Sequence, residues 1–424
     1  MIRFLLKGLL RDRSRSLFPI LTVTVGVMMT VFFHTYMQGA GVNITQSTAN
    51  FSTGHVKVMS KAYADRADLS PNELAYAGAA GLLERLRREY PDFTWTPRIR
   101  FNGLLDIPDA NHETRAQAPV TGFGVSLLPE ESPERELLNL SSSLVRGRMP
   151  VKANEVLVSD ELARQLKIEP GATATLIGAS MYGSMATANF IVVGTVRFGI
   201  KPMDRGAMLV DIGDIQRALD MEDAAGEILG FFPDTLYRAQ RAAAAASEFN
   251  TKVGNSAGEF SPVMVTMRDQ PGVAELMDYV SSFSWVVVVV FTTVMSVVLW
   301  NAGLIASLRR YGEIGLRLAS GEDKGRLYRA MIAESLAIGL VGSVAGTALA
   351  MLPSYWLQTK GFDMGYMLEN SSMMLNNVIR ARITPASFVI GFAPGLLATG
   401  IGTAVSGIGI FRRQTASLMK ELEA

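Results

Sequence analysis

An uncharged apolar run from Trp285 to Ser307 constrains the fold of this chain more than any other feature. At about 1.5 Å per residue, a helix of this length reaches the roughly 30 Å between the two faces of a bilayer's hydrocarbon core. A spanning segment must be helical, because no water is present there to satisfy its backbone groups. The run therefore predicts a transmembrane helix, at 282–308 once its flanking residues are included.

Three further segments have the same length and character, at 17–40, 330–357 and 385–411. The mean hydropathy of +0.22 is high for a soluble protein and low for a protein made only of spans, which indicates a few spans and a large soluble part. The sequence thus predicts a membrane protein with four transmembrane α-helices, one and then three. A large extracytoplasmic domain is inserted between the first helix and the second.

Basic residues orient these spans, because Lys and Arg accumulate in the short segments on the cytoplasmic side. Three basic segments, 1–16, 309–329 and 412–424, share one side when four spans separate them. We expect them in the cytoplasm, and we expect 41–281 and 358–384 on the outer side. The first of the basic segments is predicted to be an amphipathic helix on the membrane surface, and an ordinary basic lead-in to the first span is the alternative.

The outer segment 41–281 mixes strand-like and helix-like patterns and so predicts an α+β domain. The strand-like runs are 55–59, 95–106, 119–125, 155–158, 173–177, 190–196, 207–211 and 263–267. The helix-like runs are 73–89, 159–166 and 235–249, and Ser159 is expected to cap the N-terminus of the second.

Little in the chain predicts chemistry of its own. It has no GxxxxGK[ST] loop, no cysteine and no histidine pair at metal-ligand spacing, so we expect neither an active site nor a bound metal or cofactor. The net charge of +1 argues against nucleic acid as a partner. Clustered thioethers at Met364, Met367, Met373 and Met374 suit either Cu(I) or an adaptable apolar contact at the membrane face. The second is favoured, because no Cys or His lies among them. His34, inside the first span, predicts a polar contact to another helix or a proton relay.

The segment after the second span carries more than orientation requires. It reads RRYGEIGLRLASG from Arg309 to Gly321. Glu313 and Arg317 lie one helical turn apart, where they can pair with each other or with another protein. A plain basic loop would orient the spans equally well, so the Gly-Glu-Ile-Gly sequence favours a binding function.

Small residues predict where the spans pack. Gly342 and Gly346 form a GxxxG pattern in the third span, and Gly391 and Gly395 form another in the fourth. Such spacing lets two helix backbones approach closely. The partner helix belongs either to the same chain or to a second copy.

One span, a large outer domain, three more spans and the sequence from Arg309 to Gly321 together resemble the FtsX/MacB-type permeases of ABC transporters. In that family the last stretch usually reads close to RRxEIGxxxAxG. The closing basic pair is matched at 412–413, but the proline that commonly follows is missing from 414–424. Within the family, 54–58 and 146–166 are most similar to the lipoprotein-releasing (LolC/LolE-like) permeases.

The resemblance implies a non-catalytic permease of the bacterial inner membrane, with both termini cytoplasmic and the large domain periplasmic. A separate cytosolic ABC ATPase dimer would bind ATP and magnesium, and a second permease chain, identical or related, would complete the complex. The residues implied to couple to the ATPase are Arg309, Arg310, Glu313, Ile314, Arg317 and Leu318.

The activity implied first is the extraction of lipoproteins, or of another lipophilic substrate, from the outer leaflet toward a periplasmic carrier. It predicts a hydrophobic cavity between the first and second spans of two chains. Two alternatives belong to the same family: tripartite efflux of drugs, peptides or toxins through an adaptor, and mechanotransmission signalling without transport. Signalling permeases usually have much smaller outer domains, which argues against the last.

Overall fold

The computed structural model of the protein describes residues 13–109, 111, 113–129, 131–234, 236–253, 258–308, 311–363, 374 and 378–412. The chain divides into two compact units. The membrane unit consists of Met1–Gly41, Tyr279–Phe362 and Ile379–Ala424. The outer unit consists of Val42–Asp278 and Asp363–Val378.

Helices dominate the membrane unit, and strands dominate the outer unit. The helices are α1 (Arg13–Thr48), α2 (Lys61–Asp65), α3 (Ala79–Glu89), α4 (Pro133–Leu137), α5 (Leu140–Ser143), α6 (Asp160–Gln165), α7 (Lys201–Gly206), α8 (Ile212–Ala218), α9 (Ala239–Val253), α10 (Val273–Leu308), α11 (Tyr311–Ala319), α12 (Lys324–Thr359) and α13 (Thr399–Arg412). The strands are β1 (Val56–Ser60), β2 (Tyr76–Ala77), β3 (Thr94–Pro108), β4 (Thr114–Val125), β5 (Leu144–Gly147), β6 (Glu155–Ser159), β7 (Thr173–Ala179), β8 (Met185–Val196), β9 (Ala207–Asp211), β10 (Ala224–Ala225), β11 (Glu227–Phe231), β12 (Pro262–Thr266), β13 (Phe362–Asp363) and β14 (Val378–Ile379).

Among the described residues, four helical segments are long and apolar enough to cross a membrane: Leu17–Thr53, Val273–Asn301, Lys324–Thr359 and Pro385–Val405. In chain order, the outer-unit residues Val42–Asp278 come after the first span and before the other three. This arrangement confirms the predicted fold class of one span, an inserted α+β domain and three further spans.

The fourth span is not a uniform α-helix. It opens with a 3₁₀ turn at Pro385–Phe388 and continues through a π-helical segment, Ala393–Ala398, before α13 begins. Pro394 lies in the π-helical segment. Proline has no N–H and crowds the preceding turn, so a local change of helix type at this position follows from the sequence.

Six strands of the outer unit close into a ring, in the order β3–β4–β9–β6–β8–β7 and back to β3. Two of the pairings, β4 with β9 and β6 with β8, are parallel, and the other four are antiparallel. Apolar side chains from these strands form a common buried core, among them Ile99, Leu105, Val158, Phe190 and Val210. The ring is therefore a packed barrel-like body.

The same sheet continues beyond β3 in the antiparallel order β12–β1–β11–β3. Two helices cover it with side chains at helical spacing, Leu82 and Leu86 from α3 and Ala242, Ala246 and Phe249 from α9. The i, i+4, i+7 pattern places these side chains on one face of each helix, which is the face that the sheet buries.

The structure corrects part of the predicted outer domain. The helix expected at 73–89 begins only at Ala79, because Gly78 has a φ of 79° and Tyr76–Ala77 pairs with β10. The strand β11 was missed altogether: all five of its residues are buried, so it lacks the alternation that marks a half-exposed strand. The predicted cap is confirmed, since Ser159 Oγ accepts a hydrogen bond from Leu162 N at 3.3 Å.

Candidate functional site

The residues predicted to contact an ATPase lie on or beside α11. Arg309 and Arg310 fall outside the described residues, whereas Glu313, Ile314, Arg317 and Leu318 belong to the helix. Arg317 is exposed and Leu318 is half-buried. The described part of this segment forms a nine-residue helix, Tyr311–Ala319, which precedes the third span.

Both ends of the turn after α11 are capped. Glu322 N donates to Arg317 O at 3.1 Å, and Gly321 takes the φ of 92° that this helix ending requires. Asp323 then caps α12, because its carboxylate accepts a hydrogen bond from Arg326 N at 3.0 Å. Four residues, 320–323, join α11 to α12, and hydrogen bonds at both ends of this turn restrict its conformation.

Two of the predicted packing glycines lie where α12 meets α1. A Cβ added to Gly342 would lie 2.7 Å from Val23 Cβ, and one added to Gly346 would lie 2.5 Å from Thr24 O. Real Cβ atoms essentially never come so close. At these positions the backbone of α12 packs directly against α1 of the same chain.

The other two predicted glycines serve the fourth span in the same way. A Cβ on Gly391 would lie 2.6 Å from Val27 Cγ1 of α1, and one on Gly395 would overlap Ser343 Oγ of α12. The first, third and fourth spans are therefore packed together through glycine, and Val23, Val27 and Val31 form the centre of their apolar core.

The second span packs far less within the chain. Only 11% of its most apolar 18-residue stretch is buried, whereas the corresponding share in the other three spans is 33% to 44%. Val286, Val290, Val294 and Val297 are each more than half exposed and recur at i, i+4, i+8 and i+11. They form one apolar helix face that no other described part of this chain covers.

The first two spans connect to neighbouring strands of the outer unit. A π-helical segment, Ala49–Thr53, extends α1, and only Gly54 and His55 separate it from β1. Strand β12 leads into α10, and it pairs with β1 along five residues. Gln270, before α10, donates from Nε2 to Thr53 O at 3.0 Å.

Two arginines of β3 bind the end of the π-helical segment. Arg98 Nη1 donates to Phe51 O at 3.1 Å, and Arg100 Nη2 donates to Ser52 O at 2.8 Å. Arg98 also holds Glu134 of α4 in a bidentate pair, with Nε to Oε1 at 2.8 Å and Nη2 to Oε2 at 2.7 Å. We call these four contacts the arginine clamp.

A buried ion pair adjoins the clamp. Lys57 Nζ of β1 lies 2.8 Å from Glu227 Oε1 of β11, and Arg100 Nε lies 3.6 Å from Glu227 Oε2. Burial, the largest influence, lowers the pKa of Lys57, and Glu227 opposes this only in part. Burial would raise the pKa of Glu227, but Lys57 and the two arginines outweigh it and lower that pKa. Glu227 is therefore an ionised, buried carboxylate at neutral pH.

The structure describes His34 and only one residue of the methionine cluster, Met374. Met364, Met367 and Met373 lie outside the described residues. Met374 is 2% exposed in the apolar core of the outer unit, beside Phe51 and Phe198, and its N donates to Arg197 O at 2.9 Å. Met374 therefore packs in a buried apolar core, whereas the sequence predicted a contact at the membrane face for the cluster. His34 is buried, and neither of its ring nitrogens has a hydrogen-bond partner in the described part of the chain.

Charged residues inside strand-like runs are the sequence feature that indicates the arginine clamp. Lys57, Arg98 and Arg100 interrupt strand-like runs, and the structure buries the first two and half-buries the third. Buried charges require partners, so such positions predict ion pairs. The partners Glu134 and Glu227 are distant in sequence, and only the topology brings them together.

Four spans with an α+β domain inserted after the first, and with the first two spans joined to paired strands, define the class: a multi-span membrane protein with one large outer domain. The family models identify it further. Residues 16–252 match the model described as MacB-like periplasmic core domain, and residues 285–415 match FtsX-like permease C-terminal. The first match alone covers more than half of the chain, so this protein belongs to the MacB/FtsX-type permease family of ABC transporters. The predicted resemblance to this family is confirmed, and the matches do not distinguish the lipoprotein-releasing permeases within it.

Other comparisons add little to this assignment. Among solved structures, the periplasmic region of MacB from Actinobacillus actinomycetemcomitans matches at 11% identity over 52% of this chain and 91% of that chain, with a TM-score of 0.35. No curated protein matches the chain. Members of the family are non-catalytic membrane subunits that work with a cytosolic ABC ATPase, and the outer unit is their periplasmic domain.

Proposed function

We propose that this chain is an inner-membrane permease that converts ATP hydrolysis by a cytosolic ATPase dimer into movement of its periplasmic domain, and so extracts lipoproteins or another lipophilic substrate from the outer leaflet. A second permease chain, identical or related, completes the complex. Both termini are cytoplasmic in this proposal, with the segments 1–16, 309–329 and 412–424 on the ATPase side.

One observation carries the mechanical part. α1 and α10 each contain 36 residues, so each is about 54 Å long and exceeds the hydrocarbon core by roughly 24 Å. The strand that follows α1, β1, and the strand that precedes α10, β12, are hydrogen-bonded neighbours. A displacement of either helix therefore acts on the same edge of the sheet.

The ATPase contact is proposed at α11. Its capped connection to α12 gives a bound ATPase a short route to the third span, and the proposed contact residues Arg309, Arg310, Glu313, Ile314, Arg317 and Leu318 lie on or beside the helix. Opposite charges at Glu313 and Arg317 suit a partner surface that carries both signs.

The lipophilic substrate is supported by the second span. Its uncovered valine face has the chemistry of an acyl-chain contact, because β-branched side chains on one helix side form a smooth apolar surface without hydrogen-bonding groups. A second permease chain facing the same surface would enclose an apolar cavity there, as the lipoprotein-releasing resemblance implies.

The coupling is tested by Glu313→Arg in the complete complex with its ATPase in lipid nanodiscs. We expect the two proteins to assemble while ATP hydrolysis no longer responds to the permease, since a reversed charge opposes docking. Glu222→Arg, the same charge change at an exposed position of the periplasmic domain, is the control. Coupling that survives Glu313→Arg would refute the role of α11.

The substrate is tested by mass spectrometry of the complex purified with its native lipids. Co-purified triacylated lipoprotein supports extraction. A stoichiometric periplasmic adaptor with no bound lipoprotein would refute it in favour of tripartite efflux.

A further inference from the structure

The end of α1 is held by side chains at three successive carbonyls. Those of Phe51 and Ser52 accept hydrogen bonds from the arginine clamp, and that of Thr53 accepts one from Gln270. The carbonyls that end a helix lack helical donors. His55 N, four residues beyond Phe51, donates to Gly230 O instead. Side chains thus satisfy the groups that the helix leaves open.

The clamp is anchored on its other side. The Arg98 side chain is 3% exposed and that of Glu134 is 0% exposed, and Thr96 Oγ1 donates a further bond to Glu134 Oε1 at 2.9 Å. Arg98 therefore binds α1 through one nitrogen and α4 through two. A guanidinium can do this because its donors form a rigid planar fork, which an ammonium group does not provide.

The charges of the arginine clamp and of the adjoining ion pair also favour the contact with the end of α1. Lys57, Arg98 and Arg100 carry three positive charges, and the two carboxylates of Glu134 and Glu227 carry two negative ones. The group therefore carries one excess positive charge, and Arg100, its least buried cation, is 24% exposed. The carbonyl end of a helix, with roughly half a negative charge, is a favourable neighbour for such a cation. Withdrawal of α1 would remove that favourable interaction.

We propose that the arginine clamp is the joint through which movement of the first span reaches the periplasmic domain, with Arg98 and Arg100 as positioning residues for coupling. This inference rests on the proposed function. Apolar contacts alone would let the helix end slide, since they have no preferred direction. Directed hydrogen bonds from an immobilised guanidinium make α1, β3 and α4 move as one body.

The test measures distances between spin labels, and a chain with no native cysteine is suited to it. Cysteines replace Ile44, which is 45% exposed on α1, and Glu84, which is exposed on α3; both belong to the outer unit. Labelled chains are diluted with unlabelled ones in the complete complex with its ATPase in nanodiscs. Distances are recorded without nucleotide and with ATP plus vanadate.

With the clamp intact, we expect the same narrow distribution in both states. In Arg98→Met, the distribution should broaden, and its mean should shift with nucleotide by about 3 Å or more, one hydrogen-bond length. Arg98→Lys should resemble Arg98→Met. Arg146→Met, which breaks the Arg146–Asp160 pair of 2.8 Å without touching α1, should behave as the unmodified chain does.

Arg98→Met leaves Glu134 buried and unpaired, so Arg98→Met/Glu134→Gln is measured beside it. This double variant removes both charges and still lacks the bond to Phe51 O. Distributions as narrow as those of the unmodified chain in both variants, or equal broadening in Arg146→Met, would overturn the clamp. ATP hydrolysis that never depends on the permease, even in the unmodified chain, would instead refute the proposed function.

Discussion

The glycine contact between α12 and α1 yields a prediction whose size follows from the geometry. In Gly346→Ala, the new Cβ would lie 2.5 Å from Thr24 O, a backbone atom that cannot rotate away. Ordinary contact begins near 3.4 Å, so the helices must separate by almost 1 Å. Overpacking of this kind costs about 1–3 kcal/mol, whereas the higher helix propensity of Ala returns at most about 1 kcal/mol. We expect a net loss of roughly 1–2 kcal/mol.

Gly41→Ala is the matched control. Gly41 likewise lies inside a long helix, α1, but its added Cβ would meet Val280 Cγ1 at 3.7 Å, an ordinary van der Waals distance. The control thus gains the same helix propensity without a clash. Reversible unfolding of the purified chain in mixed micelles, as SDS is titrated in, measures both free energies.

The reasoning requires Gly346→Ala to be less stable than Gly41→Ala. Equal stabilities would show that the two helices separate at no cost, and the glycine contacts would then have no packing function. A loss in both variants would point instead to an effect of alanine unrelated to the helix contact.

Three further predictions concern charge and topology. Glu227→Gln should destabilise the periplasmic domain by about 3–5 kcal/mol in thermal unfolding, because it leaves Lys57 buried without its counter-ion, and Lys57→Met in the same chain should recover part of the loss. The hydrogen bond from Arg148 lowers the pKa of Glu155 from 4.5 to about 2. The stability that Glu155 contributes is therefore complete above about pH 5 and is lost as the pH falls toward 2, and Glu155→Gln should flatten that part of the profile. In intact cells with a permeable outer membrane, a membrane-impermeant maleimide should label Asp65→Cys but not Ser320→Cys, and the reverse would refute the orientation.

The spans were predictable because bilayer thickness leaves few choices for an uncharged apolar run. Trp285 to Ser307 has no charged residue, and a helix follows from that alone. The glycine patterns at 342–346 and 391–395 indicated close helix contacts, although the choice between a partner in the same chain and one in a second copy needed coordinates. A local sequence pattern indicates which face of a segment is buried, but it does not identify the segment that covers that face.

Strand β11 and the arginine clamp could not be predicted, because local sequence patterns do not show which distant residues are brought together. Strand β11 is buried on both faces and carries Glu227 and Gly230, so neither alternation nor strand propensity marks it. The arginine clamp joins residues of β3, α4 and the end of α1 that lie tens of positions apart. Its members look like surface charges until the sheet order places them inside.

Because a π-helical segment ends α1, the number of residues in the first span determines which carbonyl groups face Arg98 and Arg100. Each residue of an α-helix turns the chain by roughly 100°, and a π turn absorbs one extra residue. Deleting one residue upstream of Ala49 would therefore present the wrong carbonyls to Arg98 and Arg100, although it would shorten the helix by only about 1.5 Å. Insertions of one or two residues in this span should be far more harmful than their effect on hydropathy suggests.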